Sequence, residues 1–115
     1  MTKLGSEIHH LSVVDSTNNY AAKLISEGKI QNGSVIMADF QTNGRGQRGN
    51  TWQSVSSENL MFSLVFQPIG ITPDQQIRLS WYTAVIWIKC LHRFSIAAQI
   101  KWPNDLYVRG RKIGG

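Results

Sequence analysis

The chain has 115 residues, of which 42% are hydrophobic and 17% charged, and it carries a formal net charge of +5. This composition excludes a disordered or fibrous protein, and the basic balance favours anionic ligands. The longest apolar run, residues 81–91, is interrupted by Lys89 and is too short to cross a bilayer. Since residues 1–7 have no signal-peptide pattern, we expect a cytoplasmic protein without membrane contact.

The first half of the chain predicts a strand, a helix and two further strands. Residues 8–14 form the first strand, and Ser16 caps a helix that Gly28 ends. A second strand over 34–40 leads into a Gly/Arg-rich segment. Residues 60–66 are almost entirely apolar, which predicts a third strand in the middle of a sheet and covered on both faces.

The second half begins with a strong helix start, Thr72 followed by Pro73 and, two residues later, Gln75. The helix should run to about residue 94 and be largely buried, with Cys90 as a buried, inert thiol. A fourth strand over 97–102 and a hairpin of 106–108 with 111–113 complete the pattern. The order β-α-β-β-α-β-β predicts one α+β domain over residues 1–115, with a mixed or antiparallel sheet flanked by helices.

Residues 41–52, Gln-Thr-Asn-Gly-Arg-Gly-Gln-Arg-Gly-Asn-Thr-Trp, are the most informative segment. Glycines let main-chain N–H groups approach an anion closely, arginines supply forked donors, and Trp52 offers a flat face for a base. The segment therefore suits a nucleotide, although no Gly-Lys-Ser/Thr follows as in a Walker loop. A flexible basic surface loop is the alternative interpretation.

Three further polar clusters follow strand ends or begin a helix. Ser16, Thr17 and Asn18 suit a neutral amide or urea, or else simply cap the helix. Lys101 and Lys112 could neutralise charge on reacting oxygens, or be solvated lysines. Asn104 and Asp105 could hold Mg²⁺ on a triphosphate, or form a turn. The sequence shows no arrangement of a nucleophile with a base, so this equipment fits activation of a carboxylate by ATP.

The motifs Asp-Ser-Thr-Asn, the Gly/Arg segment, Lys-Trp-Pro-Asn-Asp and Lys-Ile-Gly-Gly together resemble the biotin–protein ligases, also called biotin–[acetyl-CoA-carboxylase] ligases. The resemblance covers nearly the whole chain. It implies an α+β catalytic domain related to lipoate ligases and class II aminoacyl-tRNA synthetases. It also implies synthesis of biotinyl-5′-AMP from biotin and ATP with Mg²⁺, followed by acylation of one lysine of a biotin carboxyl carrier protein.

The resemblance assigns roles residue by residue. The catalytic residues it implies are Arg45 and Lys112. The biotin-binding residues it implies are Ser16, Thr17, Asn18, Gln41, Gly44, Arg45, Gly46, Gln47, Lys112 and Gly115. The ATP-binding residues it implies are Arg45, Arg48, Trp52, Asn104 and Asp105, with Asp105 also the candidate Mg²⁺ ligand.

The sequence departs from the family pattern in two respects. Gln47 stands where many members carry a second arginine, which predicts weaker retention of the adenylate. The family's catalytic domain continues beyond the position of Gly115, and an SH3-like domain and an optional DNA-binding winged helix are not represented, so we expect a truncated domain that self-associates and has little activity. The alternatives are a basic nucleic-acid-binding module and a lipoate or octanoyl ligase relative.

Overall fold

A computed structural model describes residues 3–45, 51–53 and 55–115. The chain divides into two compact units, Met1–Pro68 and Ile69–Gly115. Neither helix in these described ranges is long and apolar enough to cross a membrane.

The first unit is a three-stranded mixed sheet with one helix. In chain order its elements are β1 (Ile8–Val14), α1 (Thr17–Ser26), β2 (Val35–Gln41), β3 (Gly44–Arg45), β4 (Thr51–Trp52) and β5 (Met61–Leu64). β1 and β2 pair in parallel, which requires a crossover connection, and α1 supplies it. β5 pairs antiparallel with β2, and β3 pairs antiparallel with β4 in a separate two-stranded sheet.

The core of the first unit lies between α1 and the sheet. Ala21 and Leu24 on α1 pack with Ile36, which is fully buried on β2. Ser16 caps α1 as the sequence predicts, because its Oγ accepts the Asn19 N–H at 3.3 Å. The helix ends before Gly28, whose φ of +66° lies in the left-handed region that favours glycine.

The position of β5 corrects one prediction. In the three-stranded sheet the strand order is β1-β2-β5, so β2 is the central strand and β5 lies at an edge. Phe62 and Leu64 are 38% and 41% exposed, so β5 is not covered on both faces. An apolar run predicts a strand, but its place in the sheet depends on pairings that the run does not encode.

The second unit consists of one long helix and an antiparallel sheet. A 3-10 turn (Pro73–Gln75) leads directly into α2 (Gln76–His92), and the strands are β6 (Gln99–Lys101), β7 (Asp105–Val108) and β8 (Arg111–Gly114). The sheet order is β6-β7-β8, and α2 contacts β6 and β7. The β7–β8 turn has positive φ at both Arg109 and Gly110, as expected for a type I′ hairpin.

The predicted burial of α2 is wrong in the described structure. Ala84 is the one residue of this helix that is buried, while Tyr82 and Ile86 are 69% and 59% exposed. Cys90 is exposed as well, contrary to the expectation of a buried thiol. The physical reason is geometric, because one sheet of three short strands can cover only one side of a helix that is apolar on several sides.

Candidate functional site

The first cluster of polar residues lies where β1 and β2 end beside each other. Val14 pairs with Gln41, the last residue of β2. The chain then stays hydrogen-bonded to the turn after β1, since Thr42 N–H donates to Val14 O at 2.9 Å and Asn43 N–H to Asp15 O at 2.8 Å. The beginning of the Gly/Arg segment is therefore held beside the N-terminus of α1.

Gln41 makes a direct contact with α1. Its Oε1 accepts the Thr17 N–H at 2.8 Å, so it satisfies one of the N–H groups that have no partner within a helix. This bond orients the amide of Gln41 with the oxygen toward the helix and the NH₂ group the other way. The structure thus brings together two residues, 24 positions apart, that the sequence assigns to one ligand.

A serine on β5, which the sequence reasoning missed, joins this cluster. Ser63 Oγ lies 2.8 Å from Thr17 Oγ1 and donates to Asn18 Oδ1. The available signal was small, a single polar residue in the middle of the apolar run 60–66. Parallel and antiparallel pairing around β2 places this serine opposite the start of α1, which no local pattern reveals.

Ser16, Thr17 and Asn18 differ in their environments. Ser16 and Thr17 are only 3% and 4% exposed, whereas Asn18 is exposed. Ser16 Oγ is used by the helix cap, which supports the capping interpretation for that residue. The cluster is neutral and rich in oriented donors and acceptors, so it suits a polar uncharged group.

The Gly/Arg segment is described only in part. Gly44 is buried and pairs with Trp52, and Arg45 pairs with Thr51 through the backbone. The two short strands β3 and β4 were not predicted, because each has only two residues. The predicted site residues Gly46, Gln47 and Arg48, and the side chains of Arg45 and Trp52, lie outside the described part of the chain.

The second cluster belongs to the β7–β8 hairpin. Lys112 Nζ lies 3.0 Å from Asp105 Oδ1, and the two side chains are 37% and 29% exposed. Gly115 lies against this ion pair, since a Cβ built on it would be 2.8 Å from Asp105 Oδ1 and 3.6 Å from Lys112 Nζ. Glycine at 115 therefore leaves room for the pair. An anionic ligand can compete for Lys112, because the pair is partly open to solvent.

The remaining candidates of the second unit have structural explanations. Asn104 lies in the turn between β6 and β7, where Lys101 pairs with Asp105, so the Pro-Asn-Asp tripeptide does form a turn. The Trp102–Pro103 peptide bond in this turn is cis. Lys101 Nζ lies 5.6 Å from the centroid of the Tyr107 ring, a cation–π contact that explains this lysine without a ligand.

The donor set for a metal ion is sparse in the described residues. They contain no group of three or more His, Cys, Asp or Glu side chains that could hold an ion. Asp105 is a single carboxylate already paired with Lys112. The side chains that the structure describes do not form a metal site of their own, and any ion at Asp105 would need most of its ligands from phosphate oxygens and water.

Comparison with known proteins identifies the family. The sequence pattern of the biotin/lipoate A/B protein ligase family matches residues 10–115. The chain belongs to this family. The bifunctional ligase/repressor BirA of Escherichia coli is 35% identical over 112 residues, which cover 96% of this chain and 34% of the relative.

Solved structures of biotin ligases have the same fold. The biotin acetyl coenzyme A carboxylase synthetase of Helicobacter pylori, with biotinylated ATP bound, matches with a TM-score of 0.79 and 27% identity, covering 93% of this chain and 51% of that one. The biotin protein ligase of Aquifex aeolicus, in complex with biotin and ATP, matches with a TM-score of 0.75 and 30% identity, covering 94% and 44%. The chain thus spans a third to a half of these relatives, and the α+β class expected from the sequence is confirmed.

Proposed function

We propose that this chain is part of an ATP-dependent biotin–protein ligase. The observation that carries the proposal is the neutral hydrogen-bonded cluster of Thr17, Asn18 and Gln41 at the point where β2 enters the Gly/Arg segment. Its uncharged donors and acceptors suit the ureido group of biotin. Solved relatives bound to biotin and ATP, or to biotinylated ATP, support the choice of ligands.

The first reaction joins the biotin carboxylate to the α-phosphate of ATP. A carboxylate oxygen attacks the α-phosphorus, the bond from this phosphorus to the oxygen bridging to the β-phosphate breaks, and pyrophosphate leaves. The protein must position two anions and stabilise charge on the phosphoryl oxygens. We assign that role to the cations Arg45 and Lys112, and Lys112 would exchange its contact with Asp105 for the ligand anion.

The second reaction transfers biotin to a protein. A lysine amine of a biotin carboxyl carrier protein attacks the carbonyl carbon of biotinyl-5′-AMP, AMP leaves, and the amine loses a proton. The Gly/Arg segment, in which Gly44 is buried, would shield this reactive anhydride from water. The further biotin contacts that we propose are Ser16, Gly46, Gln47 and Gly115.

Nucleotide binding is assigned to residues within the Gly/Arg segment and in the β6–β7 turn. We propose that Trp52 packs against adenine and that Arg48, Asn104 and Asp105 lie near the phosphates. Mg²⁺ would arrive with ATP as the metal of its phosphates, with Asp105 as the one protein carboxylate of this turn able to touch it.

Location and assembly are also proposals. A single, exposed Cys90 suits a reducing compartment such as the cytoplasm, where disulfides are rare. The exposed apolar side chains of α2, together with the edge strand β5, favour self-association of the chain.

Biotin-dependent exchange of labelled pyrophosphate into ATP tests the proposed function. The purified protein should support exchange with biotin and not with lipoate or octanoate, and it should form biotinyl-5′-AMP. Subsequent transfer to a carrier protein is measured separately, because a chain that makes the adenylate need not transfer it. Exchange driven by lipoate in preference to biotin would assign the chain to the other branch of its family.

A further inference from the structure

The hydroxyl of Ser63 lies between two side chains from the first turn of α1, and the donor of each of its two hydrogen bonds can be assigned. Ser63 Oγ donates its hydrogen to Asn18 Oδ1, and the same Oγ lies 2.8 Å from Thr17 Oγ1. A serine hydroxyl has one hydrogen to donate and two lone pairs to accept. Because that hydrogen goes to Asn18, the bond between the two hydroxyls must be donated by Thr17.

The result is a relay of two hydrogen bonds donated in the same direction, from Thr17 to Ser63 and from Ser63 to Asn18. It joins three side chains on two elements, α1 and β5. Thr17 is buried, Ser63 is half-buried and Asn18 is exposed, so the relay runs from the interior to the surface. The backbone N–H of Thr17 is fixed as well, since it donates to Gln41 Oε1 at 2.8 Å. The interior end of the relay is therefore held from two directions.

This polarity decides which end of the Asn18 amide faces outward. Because Oδ1 accepts from Ser63, the NH₂ group is the part of the Asn18 amide that this serine leaves for a ligand. An asparagine free to rotate would offer an oxygen or an NH₂ group equally well, and each choice suits a different ligand atom. We propose that Ser63 is a positioning residue that sets Asn18 as a hydrogen-bond donor, and so selects a ligand that presents a carbonyl oxygen there.

The inference rests on the proposed function for its ligand, because the carbonyl in question would be that of the ureido group. It adds to that function a reason why the site would prefer a ligand with a carbonyl oxygen over one with an N–H donor at the same place. A ligand with an N–H donor in place of the carbonyl oxygen would face the NH₂ donor of Asn18, so the hydrogen bond between ligand and Asn18 would be lost. A site built to pair with one polar group rejects an analogue that lacks it more strongly than it rejects a change in apolar bulk.

The test compares biotin with 2-iminobiotin, in which a nitrogen donor replaces the carbonyl oxygen. Dissociation constants of both are measured by calorimetry for the purified protein and for Ser63→Ala and Ser63→Thr. The dissociation constant of 2-iminobiotin divided by that of biotin should fall about tenfold in Ser63→Ala, where the Asn18 amide can turn around. The same ratio should be retained in Ser63→Thr, which keeps the hydroxyl. Ser12→Ala, at an exposed position of β1, is the matched control for loss of a strand hydroxyl and should leave the ratio unchanged.

A change in affinity for both ligands by the same factor, with an unchanged ratio, would indicate a merely structural serine and overturn the inference. If Ser63→Ala does not fold, Asn18→Asp at the exposed end of the relay replaces it. The carboxylate still accepts from Ser63 but offers no donor, so the ratio should again fall about tenfold. An Asn18→Asp ratio equal to that of the parent protein would also overturn the inference.

A ligand-free measurement separates this inference from the proposed function. The side-chain NH₂ resonances of Asn18 in a ¹⁵N–¹H spectrum should shift in Ser63→Ala and stay in place in Ser12→Ala. If the parent protein binds neither biotin nor its analogue, the proposed function fails, and an Asn18 shift in Ser63→Ala still supports the relay. Unshifted resonances in Ser63→Ala would refute the relay itself.

Discussion

Replacing Gly115 with alanine tests the tightest geometric constraint in the second polar cluster. The added Cβ would lie 2.8 Å from Asp105 Oδ1 and 3.4 Å from Lys112 Cε. Carbon and oxygen atoms do not approach that closely without a bond, so the carboxylate must move. Its movement disturbs the 3.0 Å contact with Lys112 and so shifts the ammonium group of that lysine.

The expected cost in stability is small. The Asp105–Lys112 pair is partly exposed, and such pairs contribute about 0.2–1 kcal/mol to folding. Alanine also restricts the unfolded chain, which offsets about 0.4–1 kcal/mol. The free energy of unfolding should therefore change by less than about 1 kcal/mol, and the melting temperature by less than about 8 °C. Biotin-dependent pyrophosphate exchange should fall by at least about tenfold, because the lysine that we assign to the reacting anions is displaced.

Gly114→Ala is the matched control. A Cβ at residue 114 would meet Leu106 Cδ1 at 3.6 Å, an ordinary van der Waals contact, and would not reach the ion pair. Both variants are compared by thermal melting and by exchange rate at saturating ATP and biotin. Equal exchange rates in Gly115→Ala and Gly114→Ala would refute the reasoning that Gly115 keeps Asp105 and Lys112 in position.

Three further experiments test the remaining assignments. Arg45→Ala and Lys112→Ala should each lower pyrophosphate exchange by about a hundredfold or more while leaving the melting temperature within a few degrees, and normal exchange in both would remove their proposed roles. Gln41→Glu keeps an oxygen for the N–H at the start of α1 but loses the NH₂ group, so biotin should bind about tenfold more weakly with little loss of stability; unchanged affinity would exclude Gln41 from the site. Light scattering should show a dimer or larger assembly that Tyr82→Glu with Ile86→Glu disperses, and a monomeric parent protein would contradict self-association.

Local signals in the sequence predict much of this fold. The first strand has the predicted bounds, Ile8–Val14. Ser16 and Gly28 mark the two ends of α1, and Arg109-Gly110 forms the predicted hairpin turn. In each case the residue type acts on its own backbone or on neighbours within a few positions, so the chain needs no tertiary information to show it.

The features that the sequence does not predict depend on contacts between elements that are distant in the chain. The apolar run around β5 predicts a strand, but only the pairing with β2 makes that strand an edge and places Ser63 beside Thr17. The exposure of α2 likewise depends on how much sheet is available to cover it, not on its own pattern. The polar site was predictable as motifs, because Thr17 lies just after β1 and Gln41 lies at the end of β2. The hydrogen bond between them required the strand register.

The parallel pairing of β1 with β2 has a consequence for insertions and deletions. Thr17 and Gln41 meet because Val14 of β1 is paired with Gln41 of β2. Ile36, which is fully buried on β2, holds this strand in its register. One residue inserted between Ile36 and Gln41 would turn Gln41 to the opposite face of the sheet. Residues inserted after Asn43 lie beyond the last anchoring bond to Asp15 and leave the register intact. An insertion after Asn43 is therefore expected to leave the contact between Thr17 and Gln41 in place.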